Sequence, residues 1–118
     1  MISYRGGQRR KDIRERLPTK YPVDFDYQGQ EYYALLENLS KNGAGMRSAN
    51  PQSNPELQMG DEINFNVMLT FGVSKFTGTI AWTETVEDTA CWGVEFTKLS
   101  DDENDPLRRL ISSITGES

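Results

Sequence analysis

Two short groups of residues have the types and spacing to bind an anionic ligand. Arg10 and Arg14 lie four positions apart near the N-terminus, and Arg9 directly precedes them. A guanidinium is planar and permanently charged, so it can donate two parallel hydrogen bonds to a phosphate and can also stack on a purine face. This arginine pair therefore predicts anion recognition rather than acid–base chemistry.

The second group is the polar segment from Asn38 to Gly43, which follows a predicted strand. Asn38 supplies an amide, and the Ser40 hydroxyl can both donate and accept a hydrogen bond. Gly43 lets the backbone approach a ligand closely because it carries no Cβ. A turn that needed only asparagine and glycine would not also need serine two residues after the asparagine, so the segment indicates binding as well as chain reversal.

Charge is distributed unevenly along the chain. Residues 1–20 hold seven Lys or Arg against two acids, a net charge of +5, whereas residues 21–118 hold six against sixteen, a net charge of -10. An acidic body would repel a long phosphate backbone. The distribution favours a small anion held locally, or a basic arm that folds back on its own domain.

Composition argues against several classes of site. The chain has no histidine, which removes Ser-His and Cys-His dyads and the usual zinc sites. The single cysteine, Cys91, permits neither an internal disulfide nor a cysteine metal cage, and we expect a buried structural thiol. The acidic run 101–105 lacks the glycine and the distal glutamate of an EF-hand loop. We predict no catalytic residues, no metal site and no enzymatic activity.

A length of 118 residues predicts one domain. No apolar run approaches the roughly 20 residues of a membrane span. The N-terminal segment is too polar and basic for the apolar core of a secretory signal. We therefore predict a cytoplasmic protein without a membrane span.

Period-two alternation dominates the residues after the arm and predicts antiparallel strands. A first strand is expected from Tyr21 to Tyr27, and its hairpin partner covers 31–37. Residues 38–45 are interpreted as a turn in which Gly43 and Gly45 permit positive φ, residues 46–48 as a short strand, and residues 49–59 as a loop. Further alternating apolar sets follow, and they are Ile63, Phe65, Val67, Leu69 and Phe71, then Phe76, Ile80 and Trp82, then Trp92, Val94 and Phe96.

The C-terminal region predicts one short amphipathic helix. Asp105 followed by Pro106 is typical of a helix start. Apolar residues then recur at helical spacing, at Leu107, Leu110, Ile111 and Ile114. About six short strands followed by one helix indicate a small β-barrel or sandwich.

The two polar groups together resemble the signature of the PilZ domain family, an RxxxR (Arg10 to Arg14) before the first strand and a [D/N]xSxxG (Asn38 to Gly43) after the second. The resemblance continues through 78–82 and 92–96 and covers about residues 5–115. It implies a mainly β fold, namely a small six-stranded antiparallel β-barrel with a short C-terminal α-helix. Residues 1–16 would form a flexible basic arm and residues 17–118 the barrel.

The same resemblance implies a ligand, cyclic di-GMP, and no cofactor. Guanine presents O6 and N7 acceptors that suit a guanidinium fork. By analogy, Arg10 and Arg14 would hold phosphate and guanine, and binding would order the arm. Arg9 would favour two ligands per chain. On the barrel side, the residues implied are Asn38, Ser40 and Gly43, with Trp82 either beside the ligand or in the core.

Two other functions remain open from the sequence. One is a PilZ fold that has lost ligand binding and acts through protein contacts, and an unknown downstream effector is expected in either case. The other is a small barrel that binds single-stranded nucleic acid through its arm. That function needs exposed aromatic residues interleaved with Lys or Arg. Here the strand aromatics alternate with Asp and Glu instead, which disfavours nucleic acid.

Overall fold

The computed structural model describes residues 15–115, in which alternating apolar residues form six strands and apolar residues at helical spacing form one helix. The elements are β1 (Glu15–Tyr27), β2 (Gln30–Leu39), β3 (Gly43–Ser48), β4 (Glu62–Leu69), β5 (Gly72–Val86), β6 (Thr89–Lys98) and α1 (Pro106–Thr115). A single 3-10 turn, Pro51–Ser53, interrupts the loop between β3 and β4.

The strands close into a barrel in the order β1-β2-β3-β6-β5-β4, with every neighbouring pair antiparallel. Pairing of β4 with β1 completes the ring, so the sheet has no open edge. The predicted mainly β fold, with six antiparallel strands and one short C-terminal helix, is confirmed.

The interior of the barrel is filled by a connected group of aromatic rings. The ring centroids of Phe25 and Phe65 are 5.1 Å apart, and those of Phe65 and Phe76 are also 5.1 Å apart. Trp92 meets Phe25 edge-on at 5.8 Å. All four side chains are buried. Because full burial of such a side chain contributes about 1.5–3 kcal/mol, these four rings contribute substantially to the stability of the barrel.

Two strand predictions need correction. β1 begins at Glu15 rather than Tyr21 and so includes the last two residues assigned to the arm. Phe71 was expected to continue the buried face of β4, but its side chain is 90% exposed. It lies in the β4–β5 turn, past the last paired residue, where the alternation of a strand no longer applies.

Arg9, Arg10 and Arg14 lie outside the described residues.

The predicted turn at 38–45 is shorter in the structure. β2 continues to Leu39 and β3 already starts at Gly43, which leaves residues 40–42 for the reversal. Within residues 15–115 the glycines with positive φ are Gly29, Gly60 and Gly72. The expectation of positive φ at Gly43 and Gly45 was therefore wrong.

The predicted helix start is confirmed. Asp105 Oδ2 accepts hydrogen bonds from the Leu107 amide at 3.0 Å and the Arg108 amide at 3.2 Å. Ser74 on β5 donates to the same carboxylate at 3.1 Å, which ties the helix to the barrel. Leu107 is buried, and the other predicted apolar residues of the helix pack against the core.

A carboxylate at the end of the β3–β4 loop links that loop to the barrel. Tyr27 Oη donates to Asp61 Oδ2 at 2.7 Å, and the Gln58 amide donates to the same oxygen at 2.9 Å. The hydrogen bond from Tyr27, followed by that from Gln58, lowers the pKa of Asp61 from its usual 3.8. The bond to Asp61, followed by burial, raises the pKa of Tyr27 above its usual 10.0.

These shifts predict a pH-dependent contribution to stability. The part from Asp61 is fully present above its unfolded pKa and is lost as pH falls through the lower folded pKa. The part from Tyr27 is fully present below its unfolded pKa and is lost as pH rises through the higher folded value. In urea denaturation, the free energy of unfolding of Asp61→Asn should approach that of the wild type as pH falls from 7 to about 2. The difference in the free energy of unfolding between Tyr27→Phe and the wild type should shrink over the same pH range. A difference that stays constant with pH would contradict the coupling between Tyr27 and Asp61.

Candidate functional site

One row of residues crosses four neighbouring strands on the barrel wall. Asn38 on β2 pairs with Gly45 on β3, Gly45 pairs with Gly93 on β6, and Gly93 pairs with Trp82 on β5. Residues that flank the two glycines along their strands point into the core, namely Ala44, Met46, Trp92 and Val94. Because side chains alternate along a strand, the row lies on the outer face. We call these four residues the glycine platform.

The two glycines make room for the side chains on either side of them. A Cβ on Gly93 would overlap Nε1 of the Trp82 indole and come within 2.5 Å of its Cε2. A Cβ on Gly45 would lie 2.5 Å from Nδ2 and 2.6 Å from Oδ1 of Asn38. The indole therefore occupies the space above one glycine and the amide the space above the other. The close approach, rather than backbone conformation, explains these glycines.

Two β-bulges direct Asn38 and Trp82 outward. The register of β2 against β3 shifts between Leu36 and Asn38, with Glu37 as the extra residue. The register of β5 against β6 shifts between Ile80 and Trp82, with Ala81 as the extra residue. Each extra residue reverses the face on which the next side chain lies.

These bulges correct one sequence prediction. Simple alternation placed Trp82 on the same face as Phe76 and Ile80, and that placement was wrong. Phe76 and Ile80 are buried in the core, whereas Trp82 is half-buried on the outside. Two roles were left open for Trp82, contact with a ligand and packing in the core. The structure excludes packing in the core.

Ser40 lies inside the turn beside the platform and is fully buried. Its Oγ accepts from the Gly43 amide at 3.1 Å and the Asn42 amide at 3.3 Å, and it donates to the Gly43 carbonyl at 3.2 Å. The backbone amide of Ser40 donates to the same carbonyl at 2.9 Å. These bonds give Ser40 a role in fixing the turn, and its contact with a ligand stays a prediction, as does that of Gly43.

Arg47 is a cation that the sequence analysis did not single out. It follows Gly45 by two residues on the same face of β3 and pairs with Cys91 on β6. Its Nε lies 3.1 Å from Glu37 Oε2, and Lys20 Nζ lies 3.5 Å from the same oxygen. Glu37, the extra residue of the β2 bulge, thus holds a guanidinium next to the platform. Only strand pairing reveals this proximity, because Arg47 belongs to neither motif.

Cys91 is half-buried on the outer face rather than in the core, which corrects the predicted burial. Burial, followed by the nearby carboxylates of Glu37 and Glu84, raises the pKa of its thiol. A protonated thiol is a poor nucleophile, so this environment favours a structural role. Within residues 15–115, no cluster of acidic and cysteine side chains has the composition of a metal site.

The glycine platform combines two means of recognition. An indole offers a surface on which a nucleobase can stack, and an amide offers hydrogen-bonding groups at its side.

In the described part of the chain, no helix has the length and apolar character required to span a membrane.

Comparison with known proteins identifies the family. The model of the PilZ domain matches residues 8–113, nearly the whole chain. The chain belongs to the PilZ domain family. The matched region includes Arg9, Arg10 and Arg14 as well as the glycine platform. The resemblance inferred from the two motifs is confirmed.

Solved structures share the PilZ fold at low sequence identity. The PilZ domain with c-di-GMP of YcgR from Escherichia coli has a TM-score of 0.67 and 23% identity, covering 91% of this chain and 88% of that one. The K. pneumonia MrkH–c-di-GMP complex has a TM-score of 0.68 and 19% identity, covering 92% and 54%. The Bacillus subtilis inhibitor of motility (MotI/DgrA) has a TM-score of 0.67 and 16% identity, covering 92% and 53%.

Our PilZ chain spans about half the length of the MrkH and MotI chains. A comparison with curated protein sequences gave no match. At these identities the solved structures establish the fold of the chain, and its ligand is a matter for proposal.

Proposed function

We propose that this PilZ protein is a receptor for cyclic di-GMP, bound between the glycine platform and the arginines of the N-terminal segment. The observation that carries the proposal is the placement of Asn38 and Trp82 on the outer barrel wall by two bulges, with the amide over Gly45 and the indole over its paired residue Gly93. Membership of the PilZ family and the c-di-GMP complexes among its structural neighbours support the ligand.

Each group has a task that matches the ligand. The Trp82 indole stacks on one guanine, an interaction worth about 1–3 kcal/mol per base. The Asn38 carbonyl oxygen accepts a hydrogen bond from guanine N1–H or N2–H. Arg10 and Arg14 donate to phosphate and to the O6/N7 edge of guanine. Arg47 adds positive charge on the barrel side.

The charge distribution explains why the arginines are needed. The acidic body carries a net charge of -10 over residues 21–118, and Glu37 is already paired with Arg47 and Lys20. An anionic ligand approaching this wall meets repulsion unless cations come with it. The six Lys or Arg residues within 1–20 other than Lys20 supply those cations locally. Ligand binding then changes a surface that a downstream effector protein recognises.

Calorimetry with cyclic di-GMP tests the proposal. Cyclic di-AMP is the matched control, because it has the same phosphates and ring but lacks the guanine N1–H, N2–H and O6 groups. We expect binding of cyclic di-GMP and roughly 5- to 150-fold weaker binding of cyclic di-AMP, since base discrimination by such contacts is worth about 1–3 kcal/mol. Absence of measurable cyclic di-GMP binding by folded protein would refute the receptor function and favour an adaptor that acts through protein contacts.

An oligonucleotide titration at two salt concentrations tests the remaining alternative, the binding of single-stranded nucleic acid. A protein that tracks a nucleic-acid backbone with several cations loses affinity steeply as salt rises. We expect little oligonucleotide binding from this acidic body. Tight, salt-sensitive binding of single strands would contradict the proposal.

Asn38 gives a prediction about the hydrogen-bonded edge of guanine. A carboxylate can accept from N1–H and N2–H together and carries a full charge, so Asn38→Asp should bind cyclic di-GMP as tightly as the wild type or more tightly. Asn38→Ala is the control and should weaken binding by about tenfold, the loss of one or two such bonds. If Asn38→Asp instead loses tenfold, the amide hydrogens matter and the assigned edge is wrong.

Arg9 gives a prediction about stoichiometry. Two intercalated cyclic di-GMP molecules bring four phosphate charges together, and at short range this repulsion costs several kcal/mol unless cations oppose it. Arg9, Arg10 and Arg14 place three guanidiniums within six residues. We expect two ligands per chain in calorimetry and a shift toward one in Arg9→Leu. A wild-type ratio near one, or a ratio that Arg9→Leu leaves unchanged, would contradict this role.

A further inference from the structure

The β4–β5 hairpin carries an apolar surface that no other part of the described chain covers. Phe71, in the turn, is 90% exposed, and its neighbours Met68 and Val73 are 45% and 59% exposed. Met68 and Val73 pair directly across the two strands. Turn positions favour glycine, proline and small polar residues, so the turn itself does not need a phenylalanine. A contiguous apolar group of this kind is typical of an interaction site. We call these three residues the hairpin patch.

A groove lies directly beside the hairpin patch. It has a volume of about 490 Å³ and runs between the hairpin, β1 and helix α1. Its apolar lining comes from Tyr21, Leu69, Phe71, Pro106 and Leu110, and its polar lining includes Arg109 and Ser113. Phe71 therefore forms one wall of an open apolar groove while most of its ring faces solvent.

We propose that this surface binds a second copy of the same chain, with the Phe71 ring of each copy inserted into the groove of the other. A two-fold interface uses the same patch on both subunits, so it requires a projecting group and its complementary pocket on one face. Phe71 and the groove meet that requirement.

The charges beside the groove favour a copy of the chain over a partner of one charge sign. Arg109 lines the groove, and the acidic segment 101–105 leads into the same helix. A surface of mixed charge can meet its own copy with opposite charges in contact, whereas a surface of one sign would repel itself.

The expected dimer is weak. An aromatic side chain buries about 150–250 Å², so two Phe71 rings cover only part of the roughly 800 Å² per partner of a standard interface. The contact is also separate from the glycine platform, since the ten residue-to-residue steps from Gly72 to Trp82 correspond to about 33 Å along the strand. Association and ligand binding can therefore be measured independently.

Sedimentation equilibrium of the whole chain over a wide concentration range tests the proposal. We expect the mean mass to rise with concentration in the wild type and to stay monomeric in Phe71→Ser. Met59→Ser is the matched control, because Met59 is 70% exposed but lies in the β3–β4 loop. This control should associate as the wild type does. A wild type that is monomeric throughout, or an equal loss in both variants, would overturn the proposal.

A mixing experiment tests the reciprocal geometry. Phe71→Ser removes the ring, and with it one wall of the groove, but keeps the walls from β1 and helix α1, whereas Ser113→Trp fills the groove and keeps the ring. Each variant alone should be monomeric, but an equimolar mixture retains one ring-in-groove contact and should regain part of the association. A mixture that stays as monomeric as its components would overturn the two-fold arrangement. Urea denaturation of each variant reports folding and calorimetry with cyclic di-GMP reports ligand binding, so failure of the dimer and failure of the receptor function are distinguishable.

Discussion

Replacing Gly93 by alanine should displace the Trp82 indole and weaken cyclic di-GMP binding by roughly 5- to 150-fold. The new Cβ would overlap Nε1 and come within 2.5 Å and 2.8 Å of Cε2 and Cδ1 of the indole. Real Cβ atoms do not tolerate such contacts, so the ring has to move. Since stacking of a base on an aromatic ring is worth about 1–3 kcal/mol, loss of that surface corresponds to roughly 5- to 150-fold in affinity.

The barrel itself should survive Gly93→Ala. The displaced ring lies on the outer wall, whereas Trp92 and Val94 on either side of Gly93 point into an intact core. Tryptophan emission should shift toward longer wavelength as Trp82 enters solvent while Trp92 stays buried. Urea denaturation should still give one cooperative transition.

A double-mutant cycle isolates the cause of the affinity loss. If Gly93→Ala acts by moving the indole, then Trp82→Ala and the double variant should bind cyclic di-GMP equally weakly. Additive losses would show that Gly93→Ala damages the site by another route. Wild-type affinity in Trp82→Ala would remove Trp82 from the binding site altogether.

Arg10→Ala and Arg14→Ala should each remove measurable cyclic di-GMP binding at ordinary calorimetric concentrations. A charge-assisted hydrogen bond contributes about 1.5–3 kcal/mol, and each guanidinium is proposed to make more than one. The acidic body makes the loss more severe, because the cations that remain must offset its repulsion of the phosphates.

The matched control is Arg5→Ala, which removes the same charge from the same segment but lies outside the RxxxR. It should retain binding within a few fold, with the difference due to general electrostatics. All three variants should keep the wild-type free energy of unfolding, because in the part of the chain that the structure describes the buried core lies within residues 17–107. Binding within about twofold of wild type in either Arg10→Ala or Arg14→Ala would show that the site is wrongly assigned.

The sequence by itself determined the architecture of this PilZ chain. Alternation such as Val23 and Phe25 in β1 reports which face of a strand is buried, and six such runs without intervening helices require an antiparallel sheet. The helix start at Asp105 and Pro106 was also predictable from the sequence, because a capping carboxylate accepts hydrogen bonds from amides only two or three residues further along the chain. Both signals are local in the chain.

Only part of the candidate site could be predicted from the sequence. Asn38, Ser40 and Gly43 were predicted through their motif, but nothing in the sequence distinguished Ser40 from a surface serine, and the structure buries it in the turn. Arg47 was missed, and Gly45 and Gly93 were noted only within a turn and within the family resemblance, because nothing near these residues in sequence places them on one surface. They become neighbours only when β2, β3, β6 and β5 lie side by side.

Tertiary structure alone decided where Trp82 points. Period two assigned it to the core, and the extra residue Ala81 reversed that assignment. Glu37 acts in the same way before Asn38. A bulge exists only relative to the partner strand, since it is defined by two residues opposing one across the ladder. The partner residues, Gly93 and Gly45, lie 11 and 7 positions away in sequence, and their missing side chains are what admit the indole and the amide. The face on which these two side chains lie is therefore a property of strand pairing, which local alternation does not encode.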